Sequence, residues 1–325
     1  MQAESQVPSA GPLIAVVGAT ASGKSARALR LAQRFDGEIV SADSRAVYRG
    51  MDIGTAKPTP EERRLVRHWL VDVVDPDGEF SLGAYLDSAQ QALADIWSRG
   101  KAAFLVGGTG QYVWGLLEGW QVPRVPPDQE LRRLLEERAQ REGGEALYAE
   151  LQSIDPEAAA RIDPRNVRRV MRALEIEHAS VNAGASGGTP AARWRKLQPT
   201  FTPLILAIEW PRAELYRRID ERADGMIEAG LVEEVRALLD KGYDAKLPSM
   251  SGSGYREIAA HLRGEMSPAE AVAKMKTETH RVARMQRTWF RRDDPRIHWL
   301  DAHGDIDAEA SRLVADYINI AASPG

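Results

Sequence analysis

After a polar start the chain runs through five consecutive apolar residues, Leu13–Val17, and then turns abruptly to small ones. A short run that is apolar throughout and stops at glycine predicts a strand buried on both faces. Further strand candidates follow at Gly37–Ala42, His68–Val74, Ala102–Val106 and Pro203–Ile208, the first two with polar residues among the apolar ones. Between them the spacing becomes that of amphipathic helices, over Ala26–Phe35, Ser81–Ser98 and Arg212–Lys241. Strands alternating with helices predict an α/β fold built on a parallel sheet. The pattern changes after Gly119. Pro123–Pro127 reads as a joint, and Asp128 to Val181 is charged and helical by periodicity. Asn182–Pro190 is a Gly/Ser/Ala loop, after which Trp194–Lys196 leads back to the sheet. The expected division is a disordered leader (1–12), a core (13–120), a helical insertion (121–200) and the rest of the core with C-terminal helices (201–325).

Chemistry enters where the strands end. Gly18, Ala19, Thr20, Ala21, Ser22, Gly23, Lys24 and Ser25 match the phosphate-loop pattern G-x-x-x-x-G-K-[ST]. Small residues let successive N–H groups curl round a phosphate, Lys24 adds a point charge, and the Ser25 hydroxyl can ligate Mg²⁺. The helix that follows directs its positive N-terminus at the anion. The second strand runs into Asp43-Ser44, so Asp43 is expected at the carboxyl edge beside the phosphate loop, as base, metal ligand or helix cap. The fourth ends in Gly107-Gly-Thr-Gly110, where backbone can approach a ligand closely and Thr109 offers a hydroxyl. An ATPase commonly carries an Asp at such a strand end to hold Mg²⁺; this chain does not.

Arginines form the second pattern. Arg165, Arg168, Arg169 and Arg172 fall within about 100° of a helical wheel, opposite Val167, Val170, Met171 and Leu174. From Arg161 to Arg172 the net charge is +4. Arg281, Arg284, Arg287, Arg291 and Arg292 spread over about 140° of a later helix, with Trp289 and Phe290 among them. On Arg212–Lys241 the apolar face of Leu215, Ile219 and Met226 contains Arg222. A charge there needs a buried acid or an anionic ligand. Arg218 lies at the edge of that face.

Composition narrows the class. The 325 residues are 43% hydrophobic and 28% charged, with a net charge of −4 and no cysteine. Disulfides and cysteine-based zinc sites are excluded, no apolar run approaches a membrane span, and a cytoplasmic enzyme is expected. Nucleic-acid binding would have to come from the local basic faces.

Several stretches together resemble the tRNA dimethylallyltransferases. They are Gly18–Ser25, Ser41–Ser44, Tyr48–Pro58, Leu105–Tyr112, Asp163–Glu175 and Gly254-Tyr-Arg256, with a weaker match at Arg284–Trp289. The most specific piece is Gly50-Met-Asp-Ile-Gly-Thr-Ala-Lys-Pro58. The resemblance implies a P-loop NTPase-like core with a helical insertion that clamps the anticodon stem-loop. It implies transfer of the dimethylallyl group of dimethylallyl diphosphate to N6 of adenosine 37, next to the anticodon, with Mg²⁺; a monomer is expected. The diphosphate would lie in Gly18–Ser25, neutralised by Thr20, Lys24, Ser25 and Arg222. Asp43 would accept a proton from the N6 amine or hydrogen-bond to it, and Thr109 would line the donor channel and could assist. RNA contacts would come from Asp43, Ser44, Arg45, Ala46 and Thr109, from Arg165, Arg168, Arg169 and Arg172, from Gly254, Tyr255 and Arg256, and from Arg281, Arg284, Gln286 and Arg287. The chain departs from the family pattern at Ala19 (proline), Ser25 (threonine) and Met285 (a second basic residue). The rival readings are a small-molecule kinase of the shikimate or nucleoside type, a P-loop switch without chemistry, and a prenyltransferase acting on free AMP.

Overall fold

The computed structural model describes residues 10–123, 125–182 and 195–322, without the side chains of 180–182 and 321–322. The first nine residues of the expected leader and the Gly/Ser/Ala loop beyond Asn182 lie outside the described residues. The chain begins with β1 (Leu13–Val17), α1 (Lys24–Arg34), β2 (Gly37–Ser41), α2 (Pro60–Leu65), β3 (His68–Trp69), α3 (Leu82–Ser98), β4 (Ala102–Gly107) and α4 (Gly110–Leu117). Next come β5 (Trp120–Gln121), α5 (Gln129–Glu142), α6 (Gly144–Ile154), α7 (Pro156–Ala159), α8 (Val167–Asn182) and β6 (Arg195–Lys196). The sequence closes with β7 (Leu204–Glu209), α9 (Arg212–Glu228), α10 (Leu231–Asp240), α11 (Tyr255–Leu262), α12 (Pro268–Trp289), β8 (Ile297–Asp301) and α13 (Ile306–Ala322).

Two compact units result. Trp120–Leu197 forms one, and the described residues before and after it form the other. The larger unit is built on a six-stranded sheet in the order β3-β2-β4-β1-β7-β8, parallel throughout. Strands β1, β2 and β4 are buried along their whole length; the unbroken apolar runs of β1 and β4 require this when both faces are covered, and in β2 the buried Glu38 is paired with Arg99 and Trp69. Ile14, Val16, Phe104 and Leu206 meet Ala28 and Leu31 of α1 in one core. A second core gathers Met51, Leu231, Val235, Tyr255, Ile258 and Met275. The parallel arrangement brings the carboxyl ends of β1, β2, β4 and β7 to one edge. There the strands crowd: a Cβ on Gly107 would lie 2.1 Å from the Ala42 carbonyl, so only glycine fits.

The smaller unit has its own core of Leu135, Leu147, Leu151, Val170 and Leu174. Its two short strands pair antiparallel, Trp120 with Lys196, which brings its two chain ends together.

Four expectations need correction. The strand expected over His68–Val74 stops at Trp69, because Leu70 and Asp72 adopt positive φ (61° and 57°) and lead the chain away from the sheet. The single helix expected over Arg212–Lys241 is two, broken at Gly230, whose φ of 98° no helix accommodates. Arg165 lies in a turn before α8 rather than on its face. Arg291 and Arg292 follow the end of α12; Arg291 pairs with Asp293 at 2.7 Å and Arg292 with Glu209 at 3.0 Å.

Candidate active site

The phosphate loop connects β1 to α1 through three positive φ values, at Gly18 (127°), Ala21 (61°) and Gly23 (86°). Its outer carbonyls are held by side chains from far along the chain. The Trp210 indole donates to the Ser22 carbonyl at 3.0 Å, and Arg218 Nε donates to the Ala21 carbonyl at 2.9 Å. The Arg218 guanidinium also lies over the Trp210 ring, 4.3 Å from its centroid. Lys24 Nζ donates to the Ala19 carbonyl at 3.1 Å, across the loop. Desolvation, aided by the charge of Arg222 and opposed by that of Asp43, brings the Lys24 pKa down to about 8.

Thr20, Ala21, Lys24 and Ser25 form one wall of a cavity of about 800 Å³ that also receives Asp43, Thr109 and Arg222. Helix α9 buries Leu215 and Ile219 and carries Arg222 into this space. Arg222 forms no hydrogen bond or ion pair among the described residues, and burial depresses its pKa against the opposing pull of Asp43. Of the two possibilities open to a charge on an apolar face, it takes the second and faces a space fit for an anion. Two cations and one carboxylate therefore converge beside the phosphate loop.

Asp43 follows β2. Its Oδ1 accepts the backbone N–H of Arg45 at 2.8 Å. Oδ2 makes no hydrogen bond among the described residues, which leaves it available to a donor in the cavity. Thr109 is differently engaged. Its Oγ1 accepts the Ser44 N–H at 3.0 Å and lies 3.2 Å from the Ser44 hydroxyl, to which it donates, while its own N–H meets the Ala42 carbonyl at 3.1 Å. Thr109 thus fixes the turn that aims Asp43. Arg45 reaches the Pro248 and Ser249 carbonyls at 2.6 and 3.1 Å, and Ala46 is buried.

The Gly50–Pro58 stretch forms another part of the wall. Lys57 is buried and donates to the Tyr48 carbonyl, to Asp52 at 2.8 Å and to Asp72 at 2.6 Å. Glu234, in the first turn of α10, accepts the N–H groups of Asp52, Ile53 and Gly54 at 2.9, 2.7 and 3.2 Å. The Tyr255 hydroxyl completes that carboxylate at 2.6 Å. A Cβ on Gly54 would lie 2.5 Å from the Tyr255 ring, which explains the glycine. Sequence reading missed Glu234 and Trp210 because their partners lie some 180 residues away. A lone Trp just past β7 was the sole local signal.

The expected RNA residues separate into two kinds. Arg281, Arg284, Arg287 and Arg256 are exposed. Arg284 and Arg287 form no ion pair among the described residues, and Arg284 donates to the Tyr216 hydroxyl at 3.3 Å. Gly254, at φ 96°, starts the α11 turn, and Tyr255 is 1% exposed, so its side chain is a core element rather than an RNA-facing ring. In the smaller unit Arg168 and Arg169 are exposed, Arg165 pairs with Asp163 at 2.7 Å, and Arg172 is drawn onto buried Glu175 and the Val125 carbonyl. Arg172 therefore supports its own helix packing. Gln286 turns inward: its Oε1 accepts the Thr20 N–H at 2.8 Å and its Nε2 donates to the Gly108 carbonyl at 3.1 Å.

Comparison with known proteins accounts for this arrangement. Residues 46–293 match the IPP transferase family model. A tRNA dimethylallyltransferase of Roseiflexus sp. (strain RS-1) is 51% identical over 310 residues, covering 95% of this chain and 99% of the relative. That of Herpetosiphon aurantiacus is 50% identical, over 93% of this chain and 94% of its own. The crystal structure of the tRNA isopentenylpyrophosphate transferase from Bacillus halodurans superposes with a TM-score of 0.69 at 36% identity, covering 95% of this chain and 97% of that one. A eukaryotic dimethylallyltransferase acting on tRNA gives 0.76 at 26% identity, over 97% and 80% of the two chains. The chain belongs to the tRNA dimethylallyltransferase family and is a prenyl-transferring enzyme with a P-loop NTPase-like core.

Proposed function

We propose that this enzyme moves the dimethylallyl group of dimethylallyl diphosphate to N6 of adenosine 37 in the anticodon stem-loop of a tRNA. The observation that carries the reading is the shared cavity, lined together by Thr20, Lys24 and Ser25 of the phosphate loop, by Arg222 and by Asp43. An exocyclic adenine amine is a poor nucleophile, so the reaction depends on making the leaving group easy to lose. Lys24, Arg222 and the loop amides offer fixed positive charge where the diphosphate develops its own negative charge. The carbon–oxygen bond breaks with its electron pair going to the diphosphate. The N6 lone pair forms the new carbon–nitrogen bond, and the proton lost from N6 passes to Asp43 Oδ2. Thr109 holds the Asp43-Ser44 turn, so the proton is assigned to Asp43. To be presented there, the base has to leave its stack, at a cost of a few kcal/mol.

The Ser25 hydroxyl, on the cavity beside the phosphate loop, suits Mg²⁺, which takes few protein ligands and fills its shell with phosphate oxygens and water. Ser25 would hold it, and when bound it neutralises the departing diphosphate. The exposed Arg168 and Arg169 of α8 and Arg284 and Arg287 of α12 would meet the RNA backbone. The reading has a monomer at work in the cytoplasm; no helix among the described residues is long and apolar enough to cross a membrane.

The test incubates enzyme, tRNA and Mg²⁺ with labelled dimethylallyl diphosphate or with γ-labelled ATP. Label reaching adenosine from the prenyl donor, with no nucleotide needed, is the expected result. Transfer from ATP alone would establish the kinase reading, and prenylation of free AMP without tRNA the third.

A further inference from the structure

Gln286 joins two loops of the site at once. Its oxygen holds the Thr20 N–H of the phosphate loop, and its nitrogen holds the carbonyl of Gly108, the residue before Thr109. A Cβ on Gly108 would lie 2.3 Å from Gln286 Nε2 and 3.0 Å from the Gly18 carbonyl, so the glycine makes room for this bridge. The helix that carries Gln286 is itself anchored one turn later. There the Trp289 ring lies against Gly110, and its carbonyl accepts the Trp114 indole at 2.8 Å. Gln286 also lines both the main cavity and a smaller one of about 250 Å³ beside Gly18 and Ala19. A glutamine that reads a base edge needs an oxygen and a nitrogen free together. Here each already serves a backbone group.

We propose that Gln286 is a positioning residue, whose carboxamide sets the gap between the phosphate loop and the Thr109 loop. The kinetic consequence rests on the prenyl-transfer reading; the bridge itself does not. The diphosphate is held by one loop, and the attacking amine is placed by the turn that Thr109 fixes. The distance the prenyl carbon must cross is therefore the distance between the loops. Misplacing reacting groups by about 1 Å can cost about 10²-fold in rate.

The experiment compares Gln286→Met, which keeps length and loses both hydrogen bonds, with Gln286→Glu, which can still accept from Thr20 but sets an oxygen against the Gly108 carbonyl. With substrate, Gln286→Met lowers kcat at saturating tRNA by about 10–10²-fold, while tRNA affinity stays within about twofold. Without substrate, hydrogen exchange at the Thr20 amide speeds up in Gln286→Met and less so in Gln286→Glu. Gly108→Ala displaces the carboxamide and loses rate in the same way, and adding it to Gln286→Met costs little more. Weakened tRNA binding with kcat unchanged would make Gln286 an RNA contact and overturn the proposal. So would an unaltered Thr20 exchange rate. A wild-type enzyme that transferred no prenyl group would defeat the function proposed above, and Thr20 exchange would still decide the bridge.

Discussion

In the proposed reaction Asp43 and Lys24 are the two poles. Asp43 offers one uncommitted carboxylate oxygen to the cavity. Asp43→Ala is expected to lower kcat by about 10²–10⁴, the range for losing a general base, with tRNA affinity measured by filter binding nearly unchanged. Lys24 carries a different signature, because its pKa in the free enzyme is about 8. In the proposed role the charged form binds the diphosphate, and the bound anion raises the pKa. Donor affinity is therefore full below pH 8 and falls as pH rises through that value. Removing the neighbouring charge in Arg222→Ala moves that edge to higher pH while weakening binding overall. Titrating inorganic pyrophosphate calorimetrically from pH 6.5 to 9.5 checks both signs, and a flat profile would discard the assignment.

At the level of elements, α9 and α12 carry most of what the site adds to the P-loop. Helix α9 contributes Arg218 to the back of the phosphate loop and Arg222 to the cavity. Helix α12 turns Gln286 inward and leaves Arg284 and Arg287 exposed without ion pairs among the described residues. Many other surface arginines are paired, Arg30 with Asp307 and Arg133 with Glu130 among them. Uncompensated cations on one helix suit a polyanion. Replacing Arg284 and Arg287 with glutamine should reduce the slope of log K for tRNA against log salt by up to about 1.4, at ~0.7 per single-strand phosphate contact. An unchanged slope would return that part of α12 to ordinary solvated surface.

For the whole molecule, the two compact units suggest a separation of labour. The smaller unit has its own core, and the β5–β6 pair brings its ends within one strand spacing. Replacing residues 122–194 by a short turn that closes β5 on β6 should therefore leave the larger unit folded. Pyrophosphate binding is expected to persist, while tRNA affinity falls with the loss of Arg168 and Arg169. Loss of pyrophosphate binding in a protein that still unfolds cooperatively would show that the larger unit depends on the insertion.

The sequence by itself determined whatever is written in contiguous residues: the strand-to-helix phosphate loop, Asp43 and Gly107–Gly110 at strand ends, and an α/β fold from alternating patterns. Each follows from local periodicity and backbone stereochemistry, which the neighbours along the chain dictate. Side-chain partners separated by long stretches of chain were decided only by the tertiary structure. Arg222 stands on an apolar helix face that left a buried acid and an anionic ligand equally open, and only the packed structure shows that it faces a cavity. Glu234 closes on Gly54, Lys57 on Asp72 and Gln286 on Thr20 for the same reason. A buried charge or amide takes the partner that packing brings within about 3 Å, and the sheet order, rather than proximity in sequence, supplies that partner.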